Sequence, residues 1–154
     1  MNHVPLLLSR LWRTVAVALV TALSATACSH LHGGHDHGAD HGALTLNNGQ
    51  KWPTDAALRQ GMSSVRALVN PLPAGAAPSA EQAQRIATGV QAQVAYMVQN
   101  CKLEPKADAV LHVLIADLIK GADELGAATT RGAGLGRIHD ALKQYPDYFA
   151  PSGW

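Results

Sequence analysis

Ser79-Ala-Glu-Gln82-Ala-Gln-Arg-Ile86-Ala-Thr-Gly-Val90-Gln-Ala-Gln-Val94-Ala-Tyr-Met97-Val-Gln-Asn-Cys101-Lys-Leu-Glu-Pro105 is the stretch that decides the fold. It opens with Ser79 and, three residues on, Gln82, the pairing that satisfies the free N–H groups at a helix start from both sides. Ala83, Ile86, Val90, Val94, Met97 and Cys101 then recur at threes and fours, so one face of a long helix is apolar. Lys102-Leu-Glu104 is too short to be more than a turn, and Pro105 stands at the first position of a next helix, where its missing N–H costs nothing. A helical hairpin is thus written into the middle of the chain.

Working outward, Ala107, Leu111, Leu114, Leu118 and Leu125 continue the period in the third helix. Upstream, Leu58, Met62, Val65 and Val69 mark a first helix from Thr54, as N-cap, to Asn70, with Pro71 ending it. Asn70 to Pro78 reads as a loop. Downstream, the glycine-rich Arg131-Gly-Ala-Gly-Leu-Gly136 reads as a linker, since no strand precedes it to make a phosphate loop. A shorter fourth helix follows over Leu135 to Tyr145, stopped by Pro146. Four amphipathic segments, short connections and no strand candidate predict an all-α, up-down-up-down four-helix bundle over residues 52–154. With one Phe and an alanine-rich composition the core is aliphatic and thin.

The first 27 residues read as an address. Arg10 and Arg13 precede an apolar run, Val15 to Leu23, too short for a permanent span, and Ala25-Thr-Ala-Cys28 resembles a bacterial lipobox. The resemblance implies lipidation of Cys28 and, with Ser29 following, the outer membrane facing the periplasm. The leader carries two of the 12 Lys and Arg and none of the 11 Asp and Glu, leaving ten against eleven and a net charge of −1. Such a chain has no basic stripe for nucleic acid. With Cys28 acylated, Cys101 is the one remaining thiol, so no internal disulfide forms.

Between anchor and bundle, residues 28–51 read as a flexible tether, and its first part holds His30, His32, His35, His37 and His41 among glycines and aspartates. Imidazoles at this density wrap a divalent ion without a prebuilt fold. Met62 and His139 are candidates for a second, softer site inside the bundle, with Met97 and Cys101 at the same end and His112 off the apolar seam beside Asp108. Copper or zinc is the expected ion. No nucleophile, base and orienting residue can be assembled, and the expectation is a protein that is not an enzyme.

Two blocks, Leu46-Asn-Asn-Gly-Gln-Lys-Trp52-Pro-Thr-Asp55-Ala-Ala-Leu-Arg59-Gln-Gly-Met62 and Asn100-Cys101-Lys-Leu-Glu-Pro105-Lys-Ala-Asp108-Ala-Val-Leu-His112, resemble a family of proteobacterial periplasmic proteins and lipoproteins of unassigned function. In length and helix order the domain is also similar to cytochrome b562, which implies a haem held by Met62 and a histidine late in the last helix. Lys143 stands where that histidine belongs and His139 lies a turn earlier, so haem is the weakest reading. The leading one is a lipid-anchored periplasmic protein that buffers a transition metal or hands it to a metal-handling partner. Its rival is an envelope interaction module in which the histidine run is a solvated spacer.

Overall fold

The computed structural model describes residues 43–154; the leader, Cys28 and the five tether histidines lie outside them. The described chain is the expected four-helix bundle: α1 Ala56–Val69, α2 Ala80–Asn100, α3 Pro105–Glu124 and α4 Arg131–Tyr148. Each helix packs most extensively on its chain neighbours, and α4 returns to α1 along a thinner seam. The tight turn of residues 101–104 therefore sits at the same end as the start of α1 and the end of α4. No helix among the described residues is long and apolar enough to cross a membrane.

The Ser79–Gln82 capping box is present, with the Ser79 hydroxyl accepting from the Gln82 N–H at 3.2 Å and the Gln82 side chain accepting from the Ser79 N–H at 2.9 Å. Leu58, Met62, Val65 and Val69 of α1 and Ala83, Ile86, Val90, Val94 and Met97 of α2 are all buried as the periodicity requires. On α3 the buried face is wider than the expected stripe. Val110, Ile115 and Ala122 join it, because α3 packs against both α2 and α4.

Five further features depart from the sequence reading. The cap of α1 is Asp55 rather than Thr54, and its Oδ1 accepts the Leu58 N–H at 2.7 Å. Thr54 is instead engaged by Arg59, whose Nη1 donates to its carbonyl at 2.7 Å and to its hydroxyl oxygen at 3.1 Å.

The glycine-rich run is not a linker but the opening turns of α4. A Cβ built on Gly134 would lie 2.6 Å from the Gly121 carbonyl oxygen and 2.9 Å from the Leu125 nitrogen, and one on Gly121 would lie 2.9 Å from the Gly134 oxygen. Glycine weakens an isolated helix by about 1 kcal/mol per residue, yet here it lets two helix backbones touch, and packing overrides propensity.

Pro146 does not stop α4, which runs on to Tyr148. Proline inside a helix costs about 3 kcal/mol through a lost N–H and a clash one turn back. Near the C-terminus that cost is offset by fully burying Tyr145 and Phe149, about 3 kcal/mol each by area.

Finally, a small parallel pair exists where no strand was expected: β1 Trp52–Pro53 against β2 Phe149–Ala150, which clasps the two ends of the domain. Residues 43–51, assigned to the tether, also pack on the bundle. Asn48 and Gly49 both take positive φ, +50° and +83°, in a two-residue turn closed by reciprocal Asn47–Gln50 backbone bonds of 2.8 and 2.9 Å. The turn returns the chain so that Trp52 Nε1 donates to the Thr45 carbonyl at 2.7 Å, with Leu44 against the core.

Candidate functional site

Of the residues proposed as metal ligands, Met62 and His139 fall among the described ones. Met62 is fully buried on the core face of α1. His139 lies halfway along α4, and its Nε2 donates to the Leu72 carbonyl at 2.9 Å, in the loop between α1 and α2 at the opposite end from the residue 101–104 turn. Reading Pro146 as a stop had drawn the end of α4, and His139 with it, too close to the sulfur residues. Among the described residues, no three His, Cys, Asp or Glu side chains converge closely enough to hold a metal ion.

The remaining soft and imidazole groups do gather. A recess of about 330 Å³ between α2 and α3 is lined by Met97, Cys101, Asp108 and His112 together with Leu111 and Ile115. The register follows from the sequence: Met97 and Cys101 are one turn apart at the end of α2, Asp108 and His112 one turn apart at the start of α3, and the short turn keeps the two pairs level. Met97 forms the buried floor and lies in the notch that Gly61 leaves in α1; a Cβ there would meet its Sδ at 2.7 Å. At the rim, the His112 side chain is 60% exposed. Its Nδ1 lies 2.9 Å from the Asp108 carbonyl and 3.4 Å from the Asp108 carboxylate. A carbonyl only accepts, so Nδ1 carries a hydrogen; in the neutral ring the lone pair is then on Nε2.

Cys101 is the half-buried C-cap of α2 and is not disulfide-bonded. Burial, then the charges of Asp55 and Asp108, push its thiol up to about 11, so it rests protonated at neutral pH. Asp55 is the residue the sequence reading missed. Besides capping α1, its Oδ2 accepts the Lys102 N–H at 2.6 Å, which ties the start of α1 to the turn that carries Cys101. The signal was the adjacent pair of capping residues, Thr54-Asp55, of which only the second has its side chain three residues before the first buried leucine.

Beyond the recess, Tyr145 is fully buried at the same end, and its hydroxyl has no hydrogen-bond partner among the described residues. Burial pushes its ionisation above the ordinary tyrosine range, and the nearby Arg59 only partly opposes this. On the α3–α4 face, Arg137 bonds Glu124 through Nε and Nη2 at 3.2 and 3.1 Å and approaches Asp117 at 3.5 Å. Those acids, on α3, are committed to an ion pair with α4.

Comparison with known protein families, with curated proteins and with solved structures finds no match for this chain.

Proposed function

We propose that this is a lipid-anchored periplasmic protein that buffers or hands over copper or zinc, with the histidine run as capture element and the helical bundle as its carrier. The observation that carries the reading is the placement of His30, His32, His35, His37 and His41 within twelve residues directly after Cys28. Histidine at that density, interspersed with glycine and aspartate, has no role in building an apolar core and suits a divalent ion. Within the bundle, Asp55 caps α1 and holds the Lys102 N–H, and Asp117 and Glu124 pair with Arg137.

Calorimetric titration of Zn(II) and Cu(II) into the exported chain, with and without replacement of the five histidines by asparagine, tests it. Capture by the tether predicts that the replacement abolishes the principal binding event while the helical signal is unchanged. Equal binding by both proteins sinks the proposal and leaves a spacer for an interaction module. Anchoring is tested separately, because fatty-acid labelling and membrane recovery should both vanish in Cys28→Ala.

A further inference from the structure

We propose that Asn48 is a site of spontaneous covalent modification, where the side-chain amide is lost through a cyclic imide and the hold of the 43–51 arm on the bundle is released. The proposal is independent of metal capture by the tether.

The reaction needs the amide carbon of an asparagine and, beside it, a backbone nitrogen free to attack. The structure sorts the asparagines of the described residues by that requirement. Asn70 precedes Pro71, which has no N–H to give up. Asn100 precedes Cys101, whose N–H is committed to the Met97 carbonyl at 2.9 Å. Asn47 spends its own N–H and carbonyl on closing the turn, and the residue after it, Asn48, carries a side chain that crowds the attacking nitrogen. Asn48 is followed by Gly49. The bonds that close the turn use the N–H groups of Asn47 and Gln50, so that of Gly49 is uncommitted among the described residues. Both Asn48 and Gly49 are exposed to the water that the reaction consumes.

The turn also accommodates the intermediate. Ring closure turns over the peptide between residues 48 and 49, exchanging a turn with positive φ at both central residues for one with positive φ at the first alone. Both are favoured two-residue hairpin turns, and Asn48 keeps its φ of +50°. Gly49 can change the sign of its φ without steric cost, and a Cβ built there meets nothing within 4 Å.

In the first step the Gly49 nitrogen loses its proton to solvent and bonds Asn48 Cγ, while the Cγ–Nδ2 bond breaks and Nδ2 leaves with a proton as ammonia. Water then opens the imide at one of two carbonyls. Breaking the new bond to Cγ leaves aspartate in an unchanged main chain. Breaking the bond to the Asn48 main-chain carbonyl routes the chain through the side chain as isoaspartate, one methylene longer. Water enters and ammonia leaves, with nothing oxidised or reduced. Asp-Gly favours the same turn, so the first product keeps the arm in place. The longer backbone of the second cannot keep the reciprocal Asn47–Gln50 bonds, and with them goes the register that sets Trp52 Nε1 on the Thr45 carbonyl and Leu44 on the core.

The test is to age the exported chain in buffer and in denaturant and to map each asparagine by peptide mass, with isoaspartate detected by enzymatic methylation. In the folded chain, Asn48 should exchange NH for O ahead of Asn47, Asn70 and Asn100; in denaturant Asn100 should gain reactivity, because the Cys101 N–H is released. Asn48→Gly, which leaves a favoured Gly-Gly turn, should lose the modification at unchanged helical content. Asn48→Asp should pass to isoaspartate without releasing ammonia. The isoaspartate fraction, separated from the rest, should be cleaved by protease within residues 43–51, while the aspartate fraction resists as the unmodified chain does. If Asn48 stays intact in the folded chain under conditions that convert it in denaturant, the fold protects the turn and the site is refuted. Equal conversion of Asn100 in the folded chain overturns the sorting by free N–H, and an isoaspartate fraction as resistant as the unmodified chain overturns release of the arm.

Discussion

The two hairpins of the bundle use glycine for opposite purposes. Between α1 and α2, each glycine is a socket for a side chain of the facing helix: Met97 fills the notch at Gly61, and Leu68 fills the one at Gly89, where a Cβ would meet its Cδ1 at 2.6 Å. Between α3 and α4, Gly121 and Gly134 face each other, and what a Cβ would strike is mainly backbone. A thioether or an isobutyl group can shift, whereas a carbonyl in a helix cannot shift without bending the helix. The first hairpin is therefore adjustable beside the Met97 floor of the recess, and the second is the rigid wall behind it.

The largest test of this difference is Gly134→Ala. Alanine gains about 1 kcal/mol in intrinsic helix propensity, but overpacking against backbone costs more, and we expect a net loss of about 2–3 kcal/mol in chemical denaturation. A loss under about 0.5 kcal/mol would show that α3 and α4 separate easily and would erase the contrast.

Gly61→Ala should cost less, about 1–2 kcal/mol, since Met97 bears the clash. The sharper version is a double-mutant cycle. In a Met97→Ala background the notch is empty, and Gly61→Ala should turn neutral or stabilising by up to about 1 kcal/mol. An unchanged cost in that background would mean that Gly61 is constrained by something other than the thioether.

The same contrast explains what could be read from the chain. Capping at Ser79, the turn before Pro105 and the apolar seams of α1 and α2 were legible because they are set by local hydrogen bonding and by period, which the sequence carries directly. The glycine run and Pro146 were misread because local propensity and tertiary packing disagree there, and packing won through Gly121, Tyr145 and Phe149. That misreading spread to the site. Once α4 was thought to end at Tyr145, His139 was set beside Met62, although its ring is held at the Leu72 carbonyl. Met97, Cys101 and His112 could be assigned to one end from helix register alone. The hydrogen on His112 Nδ1 and the role of Asp55 could not, because both depend on which atoms meet across a turn.

Where the hairpins close on each other, α1 and α4 are bridged by the last residue, Trp154, whose ring meets Tyr145 edge-on at 4.7 Å and lies 4.2 Å beneath the Arg66 guanidinium. Tyr145 makes this seam sensitive to alkali. Its folded-state ionisation is raised, chiefly by burial, so the stability of the neutral phenol is fully present below the ordinary value near about 10 and is lost as pH rises through the folded value. Denaturation midpoints of wild type and Tyr145→Phe should run parallel below about pH 10 and separate above it, with wild type falling faster. Because the hydroxyl is buried and unpartnered, Phe should also be neutral or slightly stabilising at pH 7. A Phe variant clearly less stable at neutral pH would show that the hydroxyl has a structural role.

The smallest effect is the control for the largest. Gly136 lies two residues after Gly134 in the same helix, yet a Cβ there meets nothing within 4 Å. Gly136→Ala should therefore show bare helix propensity, a stabilisation of about 0.5–1 kcal/mol, partly through restricting the unfolded chain. The opposite signs at positions 134 and 136 would separate a glycine required by close approach from one that a helix merely tolerates. If Gly136→Ala destabilised the protein by an amount similar to Gly134→Ala, the glycine run would be serving its backbone conformation rather than the contact with α3, and the rigid-wall account of the second hairpin would fall with it.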